Sequence, residues 1–260
     1  MYDVELPLAS HLEELRIRLG RSLGAIAIGM ALCYPRTDIL FGFLTAPLTQ
    51  AAADIGSSAM LVGTGVAEAF FTRLKVAAIA GVFATLPITL WQIWMFIQPG
   101  FRGSENNYAR SFVLFGSVFF LSGAAFCYLM VLPLAFPFFL SEYASIGIEP
   151  VIRISEYLSF VSRLLLAFGI TFEMPVTTFF LARAGLITDR TLIHYGRYAV
   201  VGIFVLAAIL TPPDVVSQTL MAGPLLCLYV ISIFVARAFS RKPVTTDDGD
   251  DGDDSEKAGE

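Results

Sequence analysis

The chain has 260 residues, of which 56% are hydrophobic and only 15% are charged, and its mean hydropathy is +0.72. A water-soluble domain cannot bury that much apolar surface, so the composition excludes an ordinary soluble protein. It indicates that lipid is the solvent for most of the chain. The formal net charge of −5 therefore has to be considered separately for the membrane body and for the polar carboxyl terminus.

Six apolar windows are long enough, or nearly so, to cross a bilayer, which requires about 20 residues for a hydrocarbon core of roughly 30 Å. They cover approximately residues 19–34, 76–97, 112–134, 157–181, 198–210 and 215–235. Helices satisfy their own backbone in lipid, and the short alternating segments of a barrel do not occur. Because the first and fifth windows are short, we expect flanking polar residues or thinned bilayer to accommodate them. The predicted fold is all-α, with a six-helix membrane domain over residues 1–242.

A further apolar stretch, residues 39–48, is too short for a seventh span. It is interrupted by Gly42 and Pro47. This pattern favours an interfacial or re-entrant segment.

The distribution of Lys and Arg predicts the orientation, because basic residues are enriched in cytoplasmic loops. With the amino terminus inside, twelve basic residues fall in cytoplasmic segments: Arg16, Arg18, Arg21, Arg102, Arg110, Arg183, Arg190, Arg197, Arg237, Arg241, Lys242 and Lys257. Only four fall in outer segments, namely Arg36, Arg73, Lys75 and Arg153. We therefore expect a multi-pass protein of the cytoplasmic (inner) cell membrane with both termini in the cytoplasm.

The carboxyl-terminal residues 243–260 form a segment of different character. Residues 245–260 hold eight acids and one lysine, so the rest of the chain carries +2 instead of −5. A run of like charges repels itself and cannot form a core, which predicts an acidic, disordered cytoplasmic tail. A solubilising role is favoured over a specific docking motif.

Four charged residues fall within residues 10–18, just before the first apolar window. Ser10 and Glu13 have the spacing of a capping box, which explains Glu13 structurally. Glu14 lies four residues before Arg18, and the simplest interpretation is a weak helical ion pair, worth about 0.3 to 0.5 kcal/mol.

Glu105 is the acid of the first predicted cytoplasmic loop, near the start of the third helix. The helix dipole favours a carboxylate there, which is a sufficient structural explanation. The functional alternative is that Glu14 and Glu105 together receive a cationic partner. Two carboxylates at one membrane face suit a pair of guanidinium groups, because arginine binds each carboxylate in bidentate fashion and lysine does not.

Glu173 lies inside the fourth window, two residues before Pro175. An acid at that depth costs roughly 2.5 to 3.5 kcal/mol or more, so it normally faces the bundle interior or a wet cavity and has a function. Arg163, in the same window, is expected to extend outward toward Glu156.

A very short turn, Thr211 to Asp214, joins the fifth and sixth windows. Asp214 is placed to cap the sixth helix, which is one of two balanced interpretations of this residue, the other being functional. Gln218 follows one turn later.

No enzyme constellation is present. His11 and His194 are the only histidines, and Cys33, Cys127 and Cys227 have no paired spacing, so neither a metal site nor a disulfide framework is indicated. We expect no catalytic residue, no cofactor and no nucleic-acid partner. Two function classes stay open at this point: a protein-binding membrane scaffold, and a proton-coupled small-solute transporter in which Glu173 relays protons.

The sequence resembles the TatC family, the signal-receptor core of the twin-arginine protein translocase, over nearly all of residues 7–242. The resemblance rests on five motifs in order: SHLEELR at 10–16, APL at 46–48, WQIWMFIQP at 91–99, FGITFEMP at 168–175 and LTPPDVVSQ at 210–218. It implies a cup-shaped six-helix bundle that recognises folded cargo through a signal peptide with two adjacent arginines, and transport driven by the proton-motive force.

The resemblance also implies site residues. The positions matching Glu14 and Glu105 belong to the twin-arginine site, with those matching Leu15, Arg16 and Phe96 around it. The position matching Glu173 engages single-span partners that are TatA-like and TatB-like, within a larger complex in which the protein self-associates.

Three further positions match family landmarks. Pro47 matches a position at the outer cap, and Asp214 and Gln218 match positions on the fifth and sixth helices. We expect these residues to take part in partner contact or assembly.

Overall fold

A computed structural model describes residues 8–56, 59–98, 106–211 and 214–240. Within these ranges the helices are α1 Leu8–Cys33, α2 Thr37–Asp54, α3 Glu68–Ala84, α4 Leu86–Ile97, α5 Asn106–Phe126, α6 Leu132–Ser145, α7 Ile154–Arg183, α8 Asp189–Leu210 and α9 Val215–Phe239. A 3₁₀ turn, Tyr34–Arg36, joins α1 to α2, and a π-helical turn, Cys127–Val131, joins α5 to α6. Strands β1 Met60–Val62 and β2 Val151–Arg153 pair in parallel.

The described helices confirm the predicted all-α membrane fold. Five continuous helical runs are long and apolar enough to span a bilayer, and the pair α3 and α4 makes a sixth span that is bent by 58°. The short fifth window is part of the 22-residue helix α8, which begins in the polar sequence at Asp189. Flanking polar residues thus extend that helix, which is one of the two predicted ways of accommodating it.

The bend between α3 and α4 was not predicted. Pro87 lies in the first turn of α4, and because proline has no backbone N–H, it cannot continue the hydrogen-bond ladder of α3. At the end of α3, the backbone N–H and the hydroxyl of Thr85 both donate to the Gly81 carbonyl, at 3.0 and 2.8 Å. The second span therefore changes direction at Thr85.

Residues 39–48 belong to the 18-residue helix α2, which contains Pro47 and packs on α6. The parallel pair of β1 and β2 lies at the same end of the bundle, where α3 and α7 begin. We call this end the sheet face. The opposite end, where α1 begins and α4 and α7 end, is called the N-terminal face.

The core is built mainly around α7, which packs on α5, α9 and α3. Among its residues, Leu158, Val161, Leu164 and Phe168 are fully buried. Helices α1 and α3 also cross at very short distance, since a Cβ atom on Gly81 would lie only 2.6 Å from the backbone N of Met30. This contact fixes how α1 sits against the second span.

Candidate functional site

Glu14 and Arg18 form the ion pair predicted from their spacing. The Arg18 Nε donates to Glu14 Oε1 at 2.9 Å, and Nη2 donates to the same oxygen. The Glu14 side chain is 31% exposed and that of Arg18 only 14%. Both donors bind the same oxygen. The second carboxylate oxygen, Oε2, accepts no hydrogen bond among the described residues. Glu14 is thus a half-buried carboxylate with an open acceptor.

The tight crossing of α1 and α3 shows that Glu14 and Phe96 lie toward the same end of the bundle. Glu14 lies fifteen residues before Gly29, and Phe96 lies fifteen residues after Gly81; Gly29 and Gly81 contact each other at the crossing. Consecutive spans run in opposite directions, so both residues lie toward the N-terminal face, where α1 also packs on α4.

The neighbouring residues Leu15 and Arg16 are exposed on α1, and Phe96 is half-buried. Leu15 and Arg16 are therefore accessible to a bound segment. Glu105 lies outside the described residues, so its pairing with Glu14 stays a prediction. The same holds for the Ser10 side chain of the predicted capping box.

Glu173 lies on α7 against a glycine of α5. A Cβ atom on Gly116 would lie 3.1 Å from Glu173 Oε2 and 3.0 Å from the Leu90 side chain of α4. Both carboxylate oxygens are buried and have no hydrogen-bond partner among the described residues. A buried carboxylate without a partner is unfavourable, and an acid so placed within a membrane bundle normally has a function.

Pro47 removes one hydrogen bond from α2, and a tyrosine supplies a replacement. Proline cannot donate to the carbonyl four residues earlier, that of Phe43. The hydroxyl of Tyr128, in the π-helical turn, donates to the Phe43 carbonyl at 2.8 Å. The buried Tyr157 of α7 donates to the next carbonyl, that of Leu44, at 2.7 Å. These two bonds tie α2 to the central helices.

Asp214 caps α9, as one of the two predicted interpretations states. Its Oδ1 accepts from the Ser217 backbone N–H at 2.7 Å, and its Oδ2 accepts from the Ser217 hydroxyl. These hydrogen bonds lower the pKa of the Asp214 carboxyl below its usual value. One turn on, Gln218 Nε2 donates to the Phe204 carbonyl of α8 at 3.0 Å. Asp214 therefore stabilises the first turn of α9, and Gln218 ties α9 to α8.

The structure does not bring all the predicted residues together. Glu14 and Phe96 lie toward the N-terminal face, Pro47 and Asp214 lie at the sheet face, and Glu173 lies between them. Glu156 accepts from Arg153 at 3.4 Å, and Arg163 is exposed, so the outward extension of Arg163 toward Glu156 stays a prediction.

Sequence reasoning also missed Tyr128, Tyr157 and Gly116. One signal for the tyrosines was present: a proline inside a helix leaves a carbonyl that needs a donor from elsewhere. Neither donor could be identified without the tertiary structure, because they lie 85 and 113 residues from their acceptors in the sequence.

These features define a multi-span helical membrane protein with a polar site at one face and an unpaired acid within the bundle. The chain matches the sequence profile of the family described as Sec-independent protein translocase protein (TatC) over residues 10–224. It therefore belongs to the TatC family, a component of protein translocation rather than an enzyme.

Its relatives and structural neighbours share nearly its full length. The Sec-independent protein translocase protein TatC of Magnetococcus marinus is 43% identical over 242 residues, which cover 92% of this chain and 88% of that protein. The namesake of Campylobacter jejuni is 40% identical, with coverage of 91% and 96%. A crystal structure of a twin-arginine translocase receptor, TatC, superimposes with a TM-score of 0.79 at 36% identity, covering 89% of this chain and all of that one. None of these proteins is named as a solute transporter.

Proposed function

We propose that this protein is the receptor of a twin-arginine translocase, and that it binds the paired arginines of a signal peptide at the N-terminal face. The observation that carries the proposal is the hydrogen bonding of Glu14. One of its oxygens holds Arg18, and the other is open to a second guanidinium. A half-buried carboxylate binds arginine more strongly than an exposed one, because screening by water is weaker there.

Glu105 supplies the second carboxylate in this proposal. Leu15, Arg16 and Phe96 surround the site, and the aromatic ring offers apolar contact to the peptide beside its arginines. In the proposed orientation both termini and the N-terminal face lie in the cytoplasm, where a newly made signal peptide is found, since twelve of the basic residues then lie inside.

Glu173 has a different role in the proposal. Its unpaired carboxylate, next to the small Gly116, is a contact point for the transmembrane helix of a TatA-like or TatB-like subunit. Pro47, Asp214 and Gln218 shape the surfaces on which such subunits assemble, and self-association builds the larger complex. Transport is driven by the proton-motive force.

Peptide binding to the purified protein tests the receptor proposal. We expect a twin-arginine signal peptide to bind wild type, and Glu14→Gln to weaken binding about ten-fold to a hundred-fold, the loss of one charge-assisted hydrogen-bonded pair. Glu13→Gln is the matched control, because Glu13 is the exposed acid next to it on α1. Equal affinities of the two variants would contradict the role of Glu14, and equal affinity for a twin-lysine peptide would contradict guanidinium recognition.

A further inference from the structure

Two cationic side chains, Lys75 of α3 and Arg163 of α7, lie on the helices that meet near the sheet face. Lys75 of α3 donates from Nζ to the Ser159 hydroxyl of α7 at 2.6 Å and to the Ser155 carbonyl at 3.4 Å. Both partners are neutral oxygens. Arg163 lies one helical turn after Ser159, so the two side chains project from neighbouring positions on the surface of α7.

Neither cation is neutralised within the part of the chain that the structure describes. The described ion pairs are those of Arg18, Arg73 and Arg153, and Arg163 is exposed. Glu68, in the first turn of α3, supplies a carboxylate where α3 and α7 meet. It accepts hydrogen bonds from three backbone N–H groups, those of Thr64, Gly65 and Ser155, at 2.5 to 3.2 Å.

The charges where α3 and α7 meet therefore do not cancel. Glu68, Lys75 and Arg163 together leave a net charge of +1. That excess matches the single negative charge of a phosphodiester, which an arginine and a lysine bind jointly by charge-assisted hydrogen bonds.

The depth of Arg163 in the membrane indicates which kind of anion its side chain can reach. Helix α7 has 30 residues and is about 45 Å long, roughly 15 Å more than the hydrocarbon core, so about 7 Å emerges at each end when it is centred. Arg163 is nine residues after Ile154, which is about 13 Å along the helix, and hence about 6 Å inside the hydrocarbon. A long arginine stem reaches back to the interface, where lipid phosphates lie.

We propose that Lys75 and Arg163 bind the phosphate of a phospholipid in the leaflet at the sheet face. A carboxylate on a partner helix is less favoured as the occupant, because it would itself have to be desolvated inside the hydrocarbon. Lipid phosphates already surround the protein at that interface. The site is independent of signal-peptide binding, which takes place at the opposite face.

Native mass spectrometry of the full-length protein from nanodiscs tests this site. The nanodiscs contain phosphatidylcholine with phosphatidylglycerol, an anionic lipid. We expect wild type to retain phosphatidylglycerol, Arg163→Gln to lose retention several-fold, and Lys75→Gln with Arg163→Gln to lose it further. Arg163→Lys keeps the charge and should retain an intermediate amount. Arg153→Gln is the matched control, since that arginine is paired with Glu156 at the same face, and it should retain as much lipid as wild type.

Three results would overturn the proposal. The first is equal retention by wild type and Arg163→Gln with both proteins folded, as judged by circular dichroism. The second is displacement of the lipid by inorganic phosphate at matched ionic strength, which would show a free-anion site. The third is unchanged lipid retention together with loss of a co-purifying single-span subunit in Arg163→Gln, which would assign the cations to a partner carboxylate.

Discussion

The hydroxyl of Tyr128 supplies the Phe43 carbonyl with the donor that Pro47 cannot provide, so removing this hydroxyl should destabilise the protein. In Tyr128→Phe only the hydroxyl is removed, because the ring that stacks on Phe43, with centroids 4.2 Å apart and planes 6° apart, is retained. The Phe43 carbonyl then has neither Tyr128 nor the residue at position 47 as a donor. The change isolates one hydrogen bond.

The cost follows from the surroundings of that carbonyl. Phe43 and Tyr128 line an open apolar groove of about 530 Å³ between α2, α3 and α5, and Phe43 is 56% exposed, so the freed carbonyl would face lipid rather than water. Leaving a buried acceptor unpaired costs about 1 to 3 kcal/mol in soluble proteins, and hydrogen bonds within membranes average about 0.6 kcal/mol. We therefore expect Tyr128→Phe to destabilise the protein by about 1 kcal/mol.

A double-mutant cycle separates this cause from a general loss of packing. Pro47→Ala restores a backbone N–H that donates to the Phe43 carbonyl, so Tyr128→Phe in that background should cost close to nothing. The coupling energy is then about 1 kcal/mol. Tyr157→Phe is the control, because its acceptor is the Leu44 carbonyl, which the restored N–H at position 47 does not serve. Its cost should be the same in the wild-type and Pro47→Ala backgrounds.

Unfolding of the purified protein in mixed micelles of increasing SDS content measures these free energies. An equal loss of unfolding free energy from Tyr128→Phe with proline and with alanine at position 47 would refute the proposed role of the hydrogen bond. It is also refuted if Tyr157→Phe shows the larger coupling to position 47.

Three further changes have defined outcomes. Gly116→Val should displace the Glu173 carboxylate, whose Oε2 lies 3.1 Å from the added Cβ, and should reduce co-purification of single-span subunits; Gly116→Ala should have a smaller effect. Asp214→Ala should cost about 1 kcal/mol through the lost cap of α9, measured by the same SDS titration, and Asp214→Asn, which keeps a side-chain acceptor, should cost less. Because the folded-state pKa of Asp214 is lowered, its stabilisation is present above the ordinary carboxyl pKa and lost as the pH falls through the lowered value, so wild type should lose more stability in acid than Asp214→Asn. Gly81→Leu should block the crossing at Met30 and prevent stable folding, seen as loss of purified monodisperse protein.

The features that the sequence predicted are those with local causes. Six spans follow from the lengths of the apolar windows, and the Glu14 pair with Arg18 follows from a spacing of four on one helix. Asp214 as a cap follows from its place before an apolar run. Each needs only residues that are close together in the chain.

The features that the sequence did not reveal depend on distant contacts or on competing local signals. The bend at Thr85 was missed because Pro87 lies in an otherwise continuous apolar window. Tyr128 could not be linked to Phe43 without knowing that α2 lies against the π-helical turn. The burial of the Glu173 oxygens without a hydrogen-bond partner among the described residues likewise depends on the close approach of α5, which Gly116 permits.

Site-specific photocrosslinking from the peptide tests the receptor proposal most directly, because it leaves Glu14 and Glu105 in place. With the photoreactive residue next to the two arginines of a signal peptide, the wild-type protein should label strongly, on residues of α1 close to Glu14. A peptide with two lysines in place of the arginines should label weakly, and so should the twin-arginine peptide with Glu14→Gln. Equal labelling by the two peptides, or labelling of Glu14→Gln as strong as that of the control Glu13→Gln, would contradict recognition of the arginine pair by Glu14.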